Sequence, residues 1–505
     1  MAKKTMVVSV ASLLSWLVCL STLEATASVW KAEGFHASQQ QLQWHRSPLL
    51  QRAPVEGAAF VRGGAERSAT VEEAAETETE TLPTWEDLQS ALEDLRSGAP
   101  EEKPVLTLYR DTNGWCPFCE RVWVAVRAKG LPYQETLVPL QGKPEWYKQM
   151  VPTGLVPAVL FHGETEDKTD EGGSEPTSRR ELVWESDAIL QALDDKFPDT
   201  VRLTRKGDED YEKALDLQNR VQAEGFRFAY GNRNGTATEA ELEEIRSGFE
   251  AVLDELDEAL GAQTGGNFRL GADFSGIDAI MVPTLERWRY QLPLTEAFDI
   301  LEGRPHLREW FEAMDAFPAY SGRVAGDEYS WTATASMFLR YFGGGEDKPK
   351  VAEGIARADA AAEDLSGGFA DGLGSIATPR EAALEAAAKL VSNHDAVLRD
   401  CLGAVEPKSQ GHIPRADEEK GPTVDALLRH VASLLLDAAR GGERATPLAP
   451  PSIRGGRSTG EKTQGALALR TVAKRLCVPR DMGAPSAALL RGILATVADD
   501  LSPVE

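Results

Sequence analysis

Trp115-Cys116-Pro117-Phe118-Cys119-Glu120-Arg121-Val122 is the stretch on which the fold reading turns. Ahead of it, Pro104 to Tyr109 (Pro-Val-Leu-Thr-Leu-Tyr) is a short run of strand formers, and Arg110-Asp111-Thr112-Asn113-Gly114 is turn material. From Pro117 to Lys129 the sequence reads as a helix, and Gly130 stands at the position just past its end, where helices commonly stop. Cys116 is therefore expected at a helix N-terminus, with Pro117 in the first helical position, where a missing N–H costs nothing. Unpaired N–H groups and the positive end of the helix dipole stabilise a thiolate at such a place. Cys119 lies one turn further along the same face, where it could attack a mixed disulfide formed at Cys116 and release the partner. Half of a zinc site would need two more Cys or His ligands at suitable spacing. His162 and His306 are isolated, and Cys401 and Cys477 are far along the chain. A structural disulfide within one helical turn is strained. The pattern favours a reactive thiol.

The continuation fits that reading. Tyr133 to Val138 reads as a second strand and Lys143 to Met150 as a short helix. Thr153-Gly154-Leu155-Val156-Pro157 then opens the run Ala158 to Phe161. A Val-Pro opening a buried strand is where thioredoxin-type folds keep a cis proline, which turns the preceding backbone amide and carbonyl toward the thiol. Leu182-Val183-Trp184 is the returning strand, and Glu185-Ser186 starts a helix over Asp187 to Phe197, whose free N–H groups and hydroxyl can hold a carboxylate.

In this order the stretches resemble the cysteine-using omega and lambda classes of glutathione transferases. The matching segments are Cys116 to Val122, Ala128-Lys129-Gly130-Leu131, Lys143-Pro144-Glu145-Trp146, Gly154 to Pro157 and Glu185 to Ile189. The resemblance implies that Cys116 forms a mixed disulfide with glutathione and that Lys143 meets the glycyl carboxylate. It also implies that the backbone of Val156, before Pro157, pairs with the cysteinyl unit, and that Glu185 and Ser186 bind the γ-glutamyl end. Phe118 would line the wall toward the second substrate. Phe274-Ser275-Gly276-Ile277-Asp278 matches the capping box that starts the family's central buried helix, and Pro283, Trp288, Arg304 to Leu307 and Trp310 follow in the family's order. The implied fold is an α/β thioredoxin-like domain over residues 100–200, then an all-α transferase domain over 205–343. Two departures stand out. The family usually has Ala or Ser where this chain has Cys119, which leaves monothiol and dithiol turnover both open. In addition, Gly163 to Arg180 inserts a long polar loop, expected to be a mobile surface loop, between two strands that are normally joined tightly. Tyr230 and Trp288 are taken as candidates for the second-substrate pocket.

Composition bounds the rest. The 505 residues carry 54 Lys plus Arg against 80 Asp plus Glu, a net charge of −26, which argues against nucleic-acid and anionic-membrane binding. Five cysteines exclude a disulfide-dense scaffold. Residues 1–27 read as a signal peptide, with Val7 to Leu20 as its apolar core and Ala25-Thr26-Ala27 as the cleavage site; an uncleaved anchor is the alternative. Residues 28–83 read as a transit-like or disordered leader and acidic spacer, with entry to the secretory pathway and a plastid destination preferred over the secretory lumen or export. No stable membrane span is expected after leader cleavage. Thr84 is the expected N-cap of a short helix. Residues 346–505 read as an Ala- and Leu-rich helical extension of unknown role, with Thr423 expected to cap one helix. Its stretches Glu406 to Gly421 and Gly441 to Gly460 are expected linkers, and the basic run Arg440 to Asp481 is an expected solvated linker face.

The expected activity is that of a glutathione-dependent thiol transferase or reductase, because thiol–disulfide exchange needs a thiolate and a good leaving thiol but no general base. Glutathione is the implied co-substrate, a small electrophilic or disulfide compound the second partner, and no metal is expected. The resemblance leaves room for a homodimer. The competing reading is a non-catalytic protein of the same fold that docks partners through its helical tail.

Overall fold

The computed structural model describes residues 82–97, 102–163, 180–231, 236–342, 348–374, 380–403, 416–441 and 447–502. The expected signal peptide, nearly all of the leader and the inserted loop at 164–179 lie outside the described residues. The chain divides into two units. Of the described residues, one holds those within Glu102–Gly368 and Cys477–Ala484, and the other those within 82–97, Phe369–Leu476 and 485–502. The first described helix, α1 (Trp85–Arg96), belongs to the second unit and begins at Thr84, whose hydroxyl accepts the Asp87 N–H, as expected of an N-cap.

The first unit opens with β1 (Leu106–Asp111), α2 (Pro117–Ala128), β2 (Tyr133–Val138), α3 (Glu145–Met150), β3 (Ala158–Phe161), β4 (Glu181–Trp184) and α4 (Ser186–Lys196). The sheet order is β2-β1-β3-β4, with β1 parallel to β2 and antiparallel to β3. Every residue of central strand β1 is buried. The strand runs two residues past the expected turn boundary, so Arg110 and Asp111 are strand residues paired with Leu137 and Val138. A buried arginine is tolerable there because its guanidinium lies 3.9 Å over the Trp123 ring and meets the Glu135 carboxylate at 2.6 Å. Similarly, α3 starts later than expected because Pro144 is its N-cap, leaving Lys143 outside the helix.

Helices α5 (Glu209–Tyr230), α6 (Glu239–Gly261), α7 (Gly276–Thr295), α8 (Pro305–Asp315), α9 (Pro318–Ser321), α10 (Glu328–Phe342) and α11 (Pro349–Gly367) complete this unit. The expected start of the extension, residue 346, thus falls ahead of a helix that packs on α7 and α10. Helix α7 is buried without a break from Gly276 to Trp288 because α2, α5, α10 and α11 all pack on it. Its start is held by Asp278, which accepts the Ser275 N–H at 2.9 Å, the Ser275 hydroxyl at 2.7 Å, the Arg269 N–H at 2.8 Å and the Trp310 indole N–H at 2.9 Å. One apolar core runs from Leu106 and Val122 through Ile277 and Leu285 to Val324, so the sheet and the helices form a single hydrophobic body.

The second unit packs α1 against α12 (Arg380–Cys401) and α13 (Gly421–Ala439), with α14 (Pro451–Arg454), α15 (Thr459–Arg475) and α16 (Ala484–Leu501) following. Thr423 lies inside the first turn of α13, not at its cap, because the helix already begins at Gly421 with Pro422 in its opening turn. The expected linker from 441 to 460 holds α14 and the start of α15. Nor is the basic run a free solvated face. Arg470 pairs with Asp499 at 2.7 Å, Arg457 with Glu461 at 3.2 Å, Arg454 with Asp500 at 3.6 Å, and Arg475 with Asp400. Acids distant in sequence supply most of those partners, which the local charge pattern does not show.

Candidate active site

Cys116 is the N-cap of α2, with extended backbone and Pro117 directly after it. The Cys119 N–H points at the Cys116 sulfur at 3.4 Å, and the Cys116 thiol stands 3.9 Å from the Val156 carbonyl oxygen. The Val156–Pro157 bond is cis, as expected of that position. Both cysteines are free, and they sit in a small apolar cluster with Tyr109, Val138, Tyr147, Val156 and Ala158.

The two thiols have different surroundings. Cys116 is half-buried, whereas Cys119 is 1 % exposed. Burial, then the Cys116 sulfur and the Asp111 carboxylate, push the Cys119 thiol well above its ordinary pKa. Cys119 is therefore a protonated, inward-facing thiol at neutral pH.

The other expected site residues are placed on α2, ahead of α3 and at the start of α4. Lys143 donates to the Leu140 carbonyl at 2.8 Å; partial burial lowers its pKa, while the Cys116 and Cys119 sulfurs oppose that shift, which puts it within electrostatic reach of the thiols. Glu185 caps α4 with φ +72°, a left-handed conformation that costs a non-glycine residue about 1–3 kcal/mol and persists where surrounding structure enforces it. Ser186 follows it, buried, in the first helical turn. Phe118 is half-buried on the first turn of α2.

Sequence reasoning missed Arg121, which links these parts. Its guanidinium lies 4.8 Å from the Phe118 ring centroid, donates to Gln222 Oε1 at 2.6 Å and stands 4.0 Å from the Asp187 carboxylate beside Ser186. Burial lowers its pKa, opposed by Asp187 and by the Cys116 sulfur, so this cation faces both the helix start at Ser186 and the thiol. An i+5 arginine carries no motif of its own, and only burial singles it out.

A second set of residues, to which sequence reasoning gave no site role, lies behind the Cys116 turn. Gly114 has φ +68°, which favours glycine at the tightest point of the turn. Arg287, from the middle of α7, donates to the carbonyls of Gly114 and Trp115 at 3.3 Å each. It also meets the Glu120 carboxylate at 2.8 Å and lies 4.5 Å over the Trp331 ring. Complete burial pushes Glu120 up to about 8, with Arg287 pulling it down and Glu286 and Asp111 pushing it further up. Glu286 accepts from the Tyr320 hydroxyl at 2.5 Å and from the Gly326 N–H at 2.8 Å. Asp111 Oδ2 accepts the Trp115 N–H at 2.8 Å, while its buried Oδ1 has no hydrogen-bond partner.

Among the described residues, Asp111, Cys116 and Cys119 bring three metal-capable atoms within 4.8 Å of one another. Trp115 engages one oxygen of Asp111, Cys119 is fully enclosed, and of the three groups Cys116 alone is half-exposed. The two pocket candidates fare differently. Trp288 is a core residue, 3 % exposed, wedged against Gly225 and packed edge-on to Phe226 and Phe249; helical spacing alone does not separate such a residue from a pocket wall. Tyr230 is half-buried at the end of α5 and stacks on Phe226.

Residues 115–196 match the family model for the glutathione S-transferase N-terminal domain, and residues 239–313 match that for the C-terminal domain. Among curated relatives, glutathione S-transferase omega-1 of Sus scrofa is 29% identical over 212 residues, covering 41% of this chain and 76% of the relative. Glutathione S-transferase L3 of Arabidopsis thaliana is 30% identical over 224 residues, covering 41% of this chain and 77% of the relative. The chloroplastic glutathione S-transferase L2 of the same plant is 30% identical over 209 residues, covering 41% and 62%. With both domain models in register with the two halves of the first unit, the chain belongs to the glutathione transferase family, on its omega- and lambda-like side.

Proposed function

We propose that the protein is a glutathione-dependent thiol transferase or reductase in which Cys116 carries the reacting sulfur. The observation that carries this reading is the placement of the Cys116 sulfur on the free N–H of Cys119 at a helix start, opposite the Val156 carbonyl before a cis proline. An extended peptide such as glutathione can pair with that backbone edge as a short added strand while its sulfur meets Cys116. Lys143 would receive its glycyl carboxylate. Glu185 and Ser186, beside Arg121, would receive its γ-glutamyl end.

With a glutathionyl mixed disulfide as substrate, the Cys116 thiolate attacks the glutathione sulfur. A new Cys116–glutathione disulfide forms, the old sulfur–sulfur bond breaks, and the product leaves as a thiolate that takes a proton from solvent. A second glutathione thiolate then attacks the mixed disulfide, which releases oxidised glutathione and restores Cys116. The raised pKa and burial of Cys119 favour this monothiol route over attack by Cys119, because a protonated, enclosed thiol is a poor nucleophile. Dehydroascorbate and quinone-type adducts are further substrate classes open to the same thiol chemistry, with Phe118 and Tyr230 the wall candidates.

The test is a glutathione-coupled reductase assay with mass spectrometry on wild type, Cys116→Ser and Cys119→Ser. The reading expects a glutathione adduct on Cys116 in wild type, none in Cys116→Ser, and substantial turnover in Cys119→Ser. Equal inactivity of wild type and Cys116→Ser, with no adduct in either, overturns it. The leader is proposed to direct the chain to a plastid, in keeping with the chloroplastic relative; a fluorescent fusion of residues 1–83 that stays in the cytosol would refute this.

A further inference from the structure

Among the described residues, the glutathione transferase unit contains a piece of chain from far outside the family's two domains. Residues Cys477–Ala484 connect α15 to α16 but belong to the first unit. This strap closes on itself: Asp481 Oδ2 accepts the Cys477 N–H at 2.8 Å, and the Asp481 N–H donates to the Cys477 carbonyl at 2.9 Å. It is fastened at three places. Arg323 donates to the Pro479 carbonyl at 2.7 Å, the Val478 N–H donates to the Ser330 hydroxyl at 2.9 Å, and Gly483 lies so close to the Gly322 carbonyl that no β-carbon fits. Val478 and Met482 are 1 % and 2 % exposed.

The tip of the strap meets the catalytic turn. A β-carbon on Gly114 would stand 3.0 Å from Pro479 Cγ and 3.6 Å from the Arg480 nitrogen. Gly114 is two residues ahead of Cys116, and its carbonyl is one of the two that Arg287 holds. The turn is thus gripped twice, by Arg287 through hydrogen bonds and by Pro479 through contact. Arg323, the anchor of Pro479, also lies 4.6 Å over the Trp123 ring of α2, the helix that Cys116 caps.

We propose that the strap, through Pro479 and its anchor Arg323, is a positioning element for Cys116: it holds the Gly114–Cys116 turn so that the sulfur stays on the N-terminal N–H groups of α2. The proposal rests on the assignment of Cys116 as the reacting residue. Its consequence is that the long extension contributes to the active site of the transferase fold.

The test uses the full-length chain and two readouts. The first is alkylation of Cys116 by iodoacetamide, followed by mass spectrometry, which needs no glutathione. The second is the division between kcat and KM for glutathione. Pro479→Gly should slow Cys116 alkylation and lower kcat by about tenfold, because small displacements of a reacting group are costly, while KM changes by less than about twofold. Arg323→Met should do the same to a lesser degree, and Arg323→Lys, which restores a donor to the Pro479 carbonyl, should recover most of the loss. The Arg323 pair decides the matter if Pro479→Gly fails to fold. Folded variants with lowered melting temperature but wild-type alkylation and kcat would overturn the proposal and leave the strap a purely structural brace. If wild type forms no glutathione adduct, the functional assignment fails, while the alkylation comparison still decides whether the strap positions Cys116.

Discussion

The solvent side and the buried side of the Cys116 turn are built on opposite principles. On the solvent side, Cys116, Lys143, Val156, Glu185 and Ser186 come from short local motifs, and backbone edges and helix starts do much of the work. On the buried side, Glu120, Glu286, Arg287 and Tyr320 form an enclosed ionisable network whose members come from α2, α7 and α9. The first side is suited to a ligand that comes and goes. The second is committed to holding a shape, because a buried charge is tolerable only while its partners stay in place. Substitutions on the solvent side should therefore change catalysis without changing stability, whereas those on the buried side should cost stability first and reach catalysis only through the turn they hold.

The largest break in that comparison comes from Cys116→Ser, which should lower turnover by at least ~10³-fold, as loss of a covalent nucleophile does, with an unfolding curve like wild type. Next comes Arg287→Met on the buried side. It removes the cation between two buried carboxyl groups and frees two turn carbonyls, and should cost about 3 kcal/mol in urea unfolding. The low end of the usual range applies because Glu120, pushed up to about 8, stays protonated at neutral pH and leaves no unpaired charge. Glu185→Gln, back on the solvent side, should raise the KM for glutathione about tenfold, the scale of one hydrogen bond to a charged group, and leave unfolding unchanged.

A further expected effect concerns pH. Glu120 titrates near 8 in the folded chain and near its ordinary value of 4.5 in the unfolded one. Between those values the folded state keeps a proton that the unfolded state has lost, so stability falls as pH rises from about 5 to about 8. Burial raises Asp278 and Glu286 as well, which adds to the same slope. Glu120→Gln should flatten this dependence, with little change near pH 5 and a relative gain by pH 8. Melting temperatures at several pH values measure it; an unchanged slope would show that Glu120 is ionised in the native state.

Several parts of the site are legible in the sequence alone. Cys116 followed by Pro117 announces a helix start, Val156-Pro157 ahead of Ala158 to Phe161 announces the edge facing the thiol, and Ser275 with Asp278 announces the start of α7. Other features mislead for physical reasons that can be named. Trp288 has the spacing of a pocket wall, but packing of α5 and α6 against α7 encloses it. Arg110 and Asp111 have the composition of a turn, but pairing with β2 and the Trp123 ring draws them into the sheet. The basic run near the C-terminus has the look of a solvated face because its acidic partners, Asp400, Asp499 and Asp500, are remote or on another helix.

The sequence by itself determined where Cys116 and the neighbours proposed to bind glutathione lie along the chain, since helix caps, strand alternation and Val-Pro turns are decided by residues a few positions apart. Tertiary structure alone decided which thiol is reachable, how high Glu120 titrates, that Arg287 holds the turn, and that Pro479 presses on Gly114. Those outcomes depend on desolvation and on contacts between residues more than a hundred positions apart. No local pattern records them, because they exist only once the core has closed.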